Sequence, residues 1–283
     1  MRRRAPHNGI VRVLAALILA CSVFAADAPD AREIIARSVD LDQSNWARMR
    51  NYTWTARETI RRLDSAGALK STESEQWETV ILFGKPYRKI TARNGKSLSA
   101  ADRQKEQAKI DRAVEQLERE SPAERAARLA REEKERLKAR EFLKELPEAF
   151  RFRIAGQEKI DGRDTWVISA EPDPGFRPKH SDAKAFRKIE GRIWIDKTEF
   201  QWVRIEARTT GVISWGWFLA RLDPGASLVF EQARVNDEIW LPKTMRVAGS
   251  GRLGLVKKLR EEQEVDWTDY RKFQVESKMV SNP

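Results

Sequence analysis

The chain has 283 residues, 34% of them charged and 41% hydrophobic, with a formal net charge of +11, one cysteine and two histidines. Apolar content on this scale can close one sizeable core without disulfides. A single cysteine excludes an internal disulfide framework, the chain has no Gly-rich phosphate loop, and with Cys21 and His7 in the N-terminal segment the remaining chain can support neither thiol catalysis nor a multi-histidine metal centre.

In chain order, Arg2, Arg3 and Arg4 precede an apolar run from Val13 to Phe24, and the small-residue signatures Val23-Phe24-Ala25 and Ala26-Asp27-Ala28 follow at once. This is the pattern of a secretory signal peptide. Its apolar core is about a dozen residues, below the roughly 20 that span a bilayer. Residues 1–28 are therefore read as a cleaved leader, with cleavage after Ala25 or Ala28, and residues 29–283 as one domain in the periplasm or cell envelope. Cys21, preceded by Ile18-Leu19-Ala20, offers a lipid-attachment point as the less favoured alternative. Taking Arg2, Arg3, Arg4 and Arg12 from the whole-chain charge of +11 leaves about +7. Outside the cytoplasm such a charge points to peripheral contact with anionic membrane rather than to nucleic acid.

From Pro29 the sequence predicts a helix of about four turns, in which Ile34, Ile35, Val39 and Trp46 fall near helical spacing and Asp30 can cap the start. The run from Tyr52 to Asp64 alternates as a strand, and Ser65-Ala66-Gly67 supplies a turn. Glu75 to Leu82 and Tyr87 to Ala92 are its expected partners, the latter ending at the turn dipeptide Asn94-Gly95.

Residues 99–146 contain no glycine, one proline and a dense mixture of charges. They predict two helices, the second starting at Pro122 with Ser121 as N-cap and Glu124 closing a capping box. Opposite charges four apart, as at Glu115/Arg119, Glu124/Arg128 and Glu132/Arg136, support solvent-exposed helices. Their apolar stripe is thin. The segment reads as a charged helical insertion, either a solvated hairpin lying across the body or an arm that binds a partner or a membrane surface. Its balanced signs argue against a nucleic-acid grip.

After Pro147 the chain returns to alternation. Phe150, Phe152 and Ile154 share one face and Gly156 breaks it; Ile160-Asp161-Gly162-Arg163 then leads into Trp166-Val167-Ile168 as a hairpin. Gly191 to Asp196 and Gln201 to Thr209 form a second hairpin around Asp196-Lys197-Thr198-Glu199. Ser227 to Val235, Glu238 to Val247 and Leu255 to Trp267 are further strands. Consecutive β-runs without a βαβ crossover predict an α+β fold, mainly β, with a strongly curved antiparallel sheet.

The segments Ile160-Asp161-Gly162-Arg163-Asp164-Thr165-Trp166-Val167-Ile168 and Gly191-Arg192-Ile193-Trp194-Ile195-Asp196-Lys197, after a leader and a short N-terminal helix, resemble the LolA/LolB-like superfamily. That superfamily includes outer-membrane lipoprotein-sorting proteins and the N-terminal part of RseB-type envelope-stress regulators. The resemblance implies a half-barrel whose concave side is covered by helices and holds acyl chains in an apolar space. It spans most of the mature chain except residues 99–146, which the small carriers lack.

The residues themselves carry little chemistry. His180 is the only histidine of the mature chain and reads as a loop residue, and the paired carboxylates at Asp161/Asp164 and Glu261/Glu262 read as turns or solvated faces. No catalytic residue and no metal ligand is assigned, and no cofactor is required. The aromatic inventory says more. Ile213-Ser214-Trp215-Gly216-Trp217-Phe218-Leu219 gathers Ile213, Trp215, Trp217, Phe218 and Leu219 as ligand contacts on the rim of an apolar cleft, with Trp194 joining them from a strand. The same run also fits a short buried strand or helix packing the sheet end. Two functions follow: a periplasmic carrier of a lipid, lipoprotein acyl chain or other apolar ligand, or a non-catalytic envelope scaffold that binds a protein partner through residues 99–146.

Overall fold

The apolar period that begins at Ala31 folds as helix α1 (Ala31–Met49), about five turns rather than four. It buries Ile34, Ile35 and Val39 as the spacing requires, and also Ser38, Asp42 and Asn45. These polar groups are tolerated inside because each is bonded. The Ser38 hydroxyl donates to the Ile35 carbonyl at 3.0 Å and accepts the Trp202 indole N–H at 2.6 Å. Asn45 Nδ2 donates to the Trp240 carbonyl at 2.6 Å, and its Oδ1 accepts the Trp240 N–H at 3.0 Å. The computed structural model describes residues 29–215, 220–253 and 257–272, so residues 1–28, expected to form a cleaved leader, lie outside the described residues.

Strands β1 (Tyr52–Leu63), β2 (Leu69–Leu82), β3 (Lys85–Arg93) and β4 (Lys96–Ser97) follow. The first turn closes through Asp64 Oδ1, which accepts the N–H groups of Ala66 and Ala68, with Gly67 at a positive φ of 90°. Helices α2 (Ala100–Glu118) and α3 (Pro122–Lys138) form the charged segment. The capping box at Ser121 and Glu124 is present with Pro122 in the first turn. The chain then tightens through a 3₁₀ turn (Glu141–Glu145) into the single-turn α4 (Leu146–Ala149).

The second half is strand after strand: β5 (Phe150–Ile160), β6 (Arg163–Pro172), β7 (Ile189–Asp196), β8 (Trp202–Thr209), β9 (Ile213–Trp215), β10 (Ala220–Leu222), β11 (Ser227–Val235), β12 (Ile239–Leu253) and β13 (Lys257–Lys272). Gly156 breaks the β5 pattern as a register shift rather than as an end, because β5 resumes pairing with β6 beyond it. Asp161 and Gly162 take φ values of 49° and 82°, the double positive φ of a two-residue hairpin turn.

The thirteen strands among the described residues lie in one antiparallel sheet, ordered β4-β3-β2-β1-β13-β12-β11-β8-β7-β6-β5, with β10 on β12 and β9 on β10. The end strands β4 and β5 do not pair, so the barrel stays open. Pairing of β1 with β13 joins the two chain-terminal strands in mid-sheet. Gly191 marks a point of close approach. A Cβ there would sit 2.0 Å from the Glu206 carbonyl oxygen, so only glycine lets β7 and β8 come this near.

Candidate functional site

Cross-strand partners share a face. One row of partners runs from β5 to β3 as Ile154, Ile168, Ile193, Ile205, Phe230, Met245, Val265, Glu58, Glu75 and Arg93. The neighbouring row reads Phe152, Ala170, Gly191, Ala207, Leu228, Val247, Gln263, Ile60 and Glu73. This is the face on which α1 packs, called inner below. It changes character along the rows, apolar from β5 to β13 and ionic from β1 to β3.

Different elements cover the two ends. Over the apolar end, Ile34, Ile35 and Val39 of α1 join Phe150, Ile168, Ile193, Ile195 and Trp202 in the main core, and Phe176, Ala183 and Phe186 of the β6–β7 connection close its side. Over the ionic end, Arg88 Nη2 meets Glu75 at 2.9 Å and Glu58 at 3.5 Å, and its guanidinium lies 3.6 Å over the Trp77 ring. Arg93 bonds Glu75 at 2.9 Å and reaches the buried Glu106 of α2 at 3.9 Å.

The charged hairpin lies against the body, attached mainly through arginines. The buried Arg128 takes Glu120 at 2.8 Å and the Phe83 carbonyl at 3.2 Å, while Arg125 sits 4.5 Å over the Phe83 ring. Arg136 donates to the Trp46 carbonyl at 3.1 Å, and Arg140 pairs with Asp42. Docking also redirects expected partners. Glu115 and Arg119 pair as spaced, but Arg128 turns to Glu120 and Glu132, Glu124 caps Ser121, and Arg136 takes Glu133.

Between the covers runs a strip in which Leu228, Phe230, Met245, Val247 and Ile60 are half-buried. Helix α1 reaches the sheet chiefly through β5 and β12, and α2 through β2 and β3. At one margin of the strip, Asp42, Trp46, Arg140, Trp202, Phe230 and Gln232 line a small cavity of about 70 Å³. Burial pushes the Asp42 carboxyl above its ordinary range against the pull of Arg140. Two larger open spaces lie on the sheet, the second sharing Leu228 with the strip. One of about 770 Å³ at the strand ends is lined by Arg221, Asp223, Arg252, Arg260 and Glu262 among others, and one of about 660 Å³ runs over β6, β7, β8 and β11.

The aromatic candidates do not gather at one place. Strand alternation sets Trp194 on the face opposite to Ile193 and Ile195. There it packs with Val167, Val203 and Trp240, donates its indole N–H to Glu158 at 2.8 Å, and has Arg204 5.3 Å over its ring. Period-2 alternation gives one face to Ile193 and Ile195, and the odd residue between them, Trp194, goes to the other. Ile213 is buried in β9, and Trp215 occupies the last position of that strand. The Trp215 side chain and residues Trp217, Phe218 and Leu219 lie outside the described residues.

Sequence reading missed Gln232, Asp42 and Arg140, which the fold brings to the small cavity. The available signal was a polar residue at a buried helical or strand position, and it has meaning only once a partner 98 residues away, as for Asp42 and Arg140, is in place. His180 sits in the β6–β7 connection, as its loop assignment requires. Its ring Nδ1 lies 2.5 Å from Glu145, whose carboxylate also accepts the backbone N–H groups of Lys179 and His180 at 2.8 Å each. Among the described residues no cluster of three or more His, Cys, Asp or Glu could hold a metal ion.

No protein-family model matches the chain, and no curated protein matches it. Among solved structures, it is similar to an outer membrane lipoprotein-sorting protein domain from Vibrio parahaemolyticus, at 15% identity and a TM-score of 0.35, over 86% of this chain and 94% of that one. A LolA superfamily protein from Nitrosomonas europaea matches at 11% identity and a TM-score of 0.30, over 87% and 94%. The Pseudomonas aeruginosa MucA/MucB complex matches at 12% identity and a TM-score of 0.23, over 87% and 100%.

Proposed function

We propose that this chain is an exported envelope binding protein that holds a lipid, a lipoprotein acyl chain or another apolar ligand along the inner face of its open sheet. The observation that carries the reading is the half-buried strip of Leu228, Phe230, Met245, Val247 and Ile60, flanked by a helix-covered apolar core on one side and an ionic floor on the other. Apolar burial at about 25 cal/mol per Å² supplies the affinity, so a chain of modest length is enough and no cofactor takes part. Ile213, Trp215, Trp217, Phe218 and Leu219 form the rim in this reading, and no residue has a catalytic role. The Arg2-Arg3-Arg4 start, the apolar run and the small-residue signatures of residues 1–28 support a cleaved leader, and with it a place in the periplasm or cell envelope.

The test is native mass spectrometry of the mature chain purified without detergent, before and after organic extraction. A lipid-sized mass that extraction removes, and that the Met245→Lys variant fails to carry, is the expected result. A bare protein mass in both samples rejects the carrier role. One observation favours a second reading, a scaffold for a protein partner: α3 exposes Leu129 and Leu137, at 36% and 50%, on the charged hairpin. In that case Leu137→Asp abolishes co-purification of the partner and leaves any lipid mass unchanged.

A further inference from the structure

Three polar atoms on residues that line the small cavity under the C-terminal half of α1 are buried and have no hydrogen-bond partner among the described residues. Trp46 Nε1 and Arg140 Nε are donors, Gln232 Oε1 is an acceptor, all three are buried, and all three residues line the cavity. Gln232 is itself only 8% exposed. Unpaired buried polar atoms are rare in native proteins, and three around one space call for a group that satisfies them together.

The surroundings limit what that group is. Arg140 already pairs with Asp42 and stacks 4.5 Å over Trp46, so the positive charge is balanced and the donor geometry is set before anything binds. A phosphate or an ionised carboxylate entering here would face the Asp42 carboxyl with no cation left to answer it. The volume of about 70 Å³ accommodates a few heavy atoms, on the scale of about two waters. Phe230 belongs to the same lining, and its cross-strand partners Ile205 and Met245 continue the apolar inner face from there. A group seated in the cavity therefore has an apolar path leading away from it.

We propose that this cavity is the polar subsite for a single-chain ligand with a neutral carboxamide head, the chain running along the inner face. The carbonyl oxygen accepts from Trp46 Nε1 and Arg140 Nε, and the amide N–H donates to Gln232 Oε1. The proposal rests on the binding face described above and adds to it the chemistry of the ligand's polar end.

The experiment is isothermal titration calorimetry of the mature protein with three probes of equal chain length: decanamide, methyl decanoate, which only accepts, and 1-chlorodecane, which does neither appreciably. Decanamide is expected to bind roughly tenfold tighter than 1-chlorodecane, with methyl decanoate between them. Gln232→Leu, close to isosteric, is expected to bring decanamide down to the level of methyl decanoate without changing 1-chlorodecane, and Trp46→Phe to weaken both carbonyl probes. Equal affinities for the three probes overturn the subsite and leave the face reading standing, with water satisfying the three atoms. No binding of any probe overturns the face reading and the subsite with it.

Discussion

At Gly191 the backbone of β8 occupies the place a side chain would need, with the Glu206 carbonyl oxygen 2.0 Å from any Cβ. Gly191→Ala is expected to destabilise the protein by about 1–3 kcal/mol, read as a lowered urea midpoint, because relief requires β7 and β8 to separate where both contribute to the main core. An unchanged midpoint would mean that the strands part freely. Two buried carboxyls respond to acid in opposite senses. Burial works to raise the Glu145 carboxyl, but the N–H groups of Lys179 and His180 and the imidazole of His180 donate to it and hold it below the ordinary range. Its contribution to stability is present above the ordinary carboxylate range and is lost as pH falls through its depressed value. Asp42 is raised, so its contribution is present below the ordinary range and is lost as pH rises through its raised value. Glu145→Gln should therefore flatten the loss of stability between about pH 5 and about pH 3, seen in urea midpoints across that window. A steeper loss in the variant would contradict the assignment.

At the scale of elements, the charged hairpin is fastened by groups that water also satisfies, while the segment after it belongs to the core. Leu146 and Ala149 are buried with Ile34 and Ile35, and Phe142 and Leu143 pack against the same cluster. Residues 99–146 are thus not interchangeable along their length. Replacing residues 100–138 with a flexible Gly/Ser linker should leave a cooperative thermal transition at a lower midpoint, since none of these residues belongs to the main core cluster, although Glu106, Leu117 and Arg128 are buried at the hairpin's contacts. Deleting residues 99–146 as a block should abolish that transition, because it removes apolar contacts of the core. Equal behaviour of the two deletions in scanning calorimetry would place the boundary elsewhere.

At the scale of the whole molecule, the strands nearest the two chain termini are neighbours in the middle of the sheet. Tyr52 faces Lys272 and Arg62 faces Glu261, so closure of the sheet brings together segments about 200 residues apart in sequence. Such pairing carries a large loop-closure cost and comes late in folding. Truncation before Lys257 removes β13, which lies between β1 and β12 in the sheet, and leaves an unpaired edge on each. The truncated chain is expected to bind a hydrophobic dye and to lose its cooperative unfolding transition. Retention of a sharp transition would show that the β1–β4 and β5–β12 parts are stable independently.

Sequence alone determined what local chemistry determines. The α1 period, the capping box at Ser121, the positive-φ turns at Asp161-Gly162 and Asn94-Gly95, and the alternation of β5 to β8 were legible because each depends on residues within a few positions of one another. The tertiary structure decided everything that depends on partners far along the chain. It put Trp194 on the outer face, buried Asp42 and Asn45 inside a helix stripe read as apolar, turned Arg128 from Glu124 to Glu120, and brought Trp46, Arg140 and Gln232 around one cavity. The physical reason is the same in each case. A pattern of residues fixes which side of an element is apolar, but whether a polar group there is satisfied, and by what, depends on a donor or acceptor that only the folded sheet places within about 3 Å.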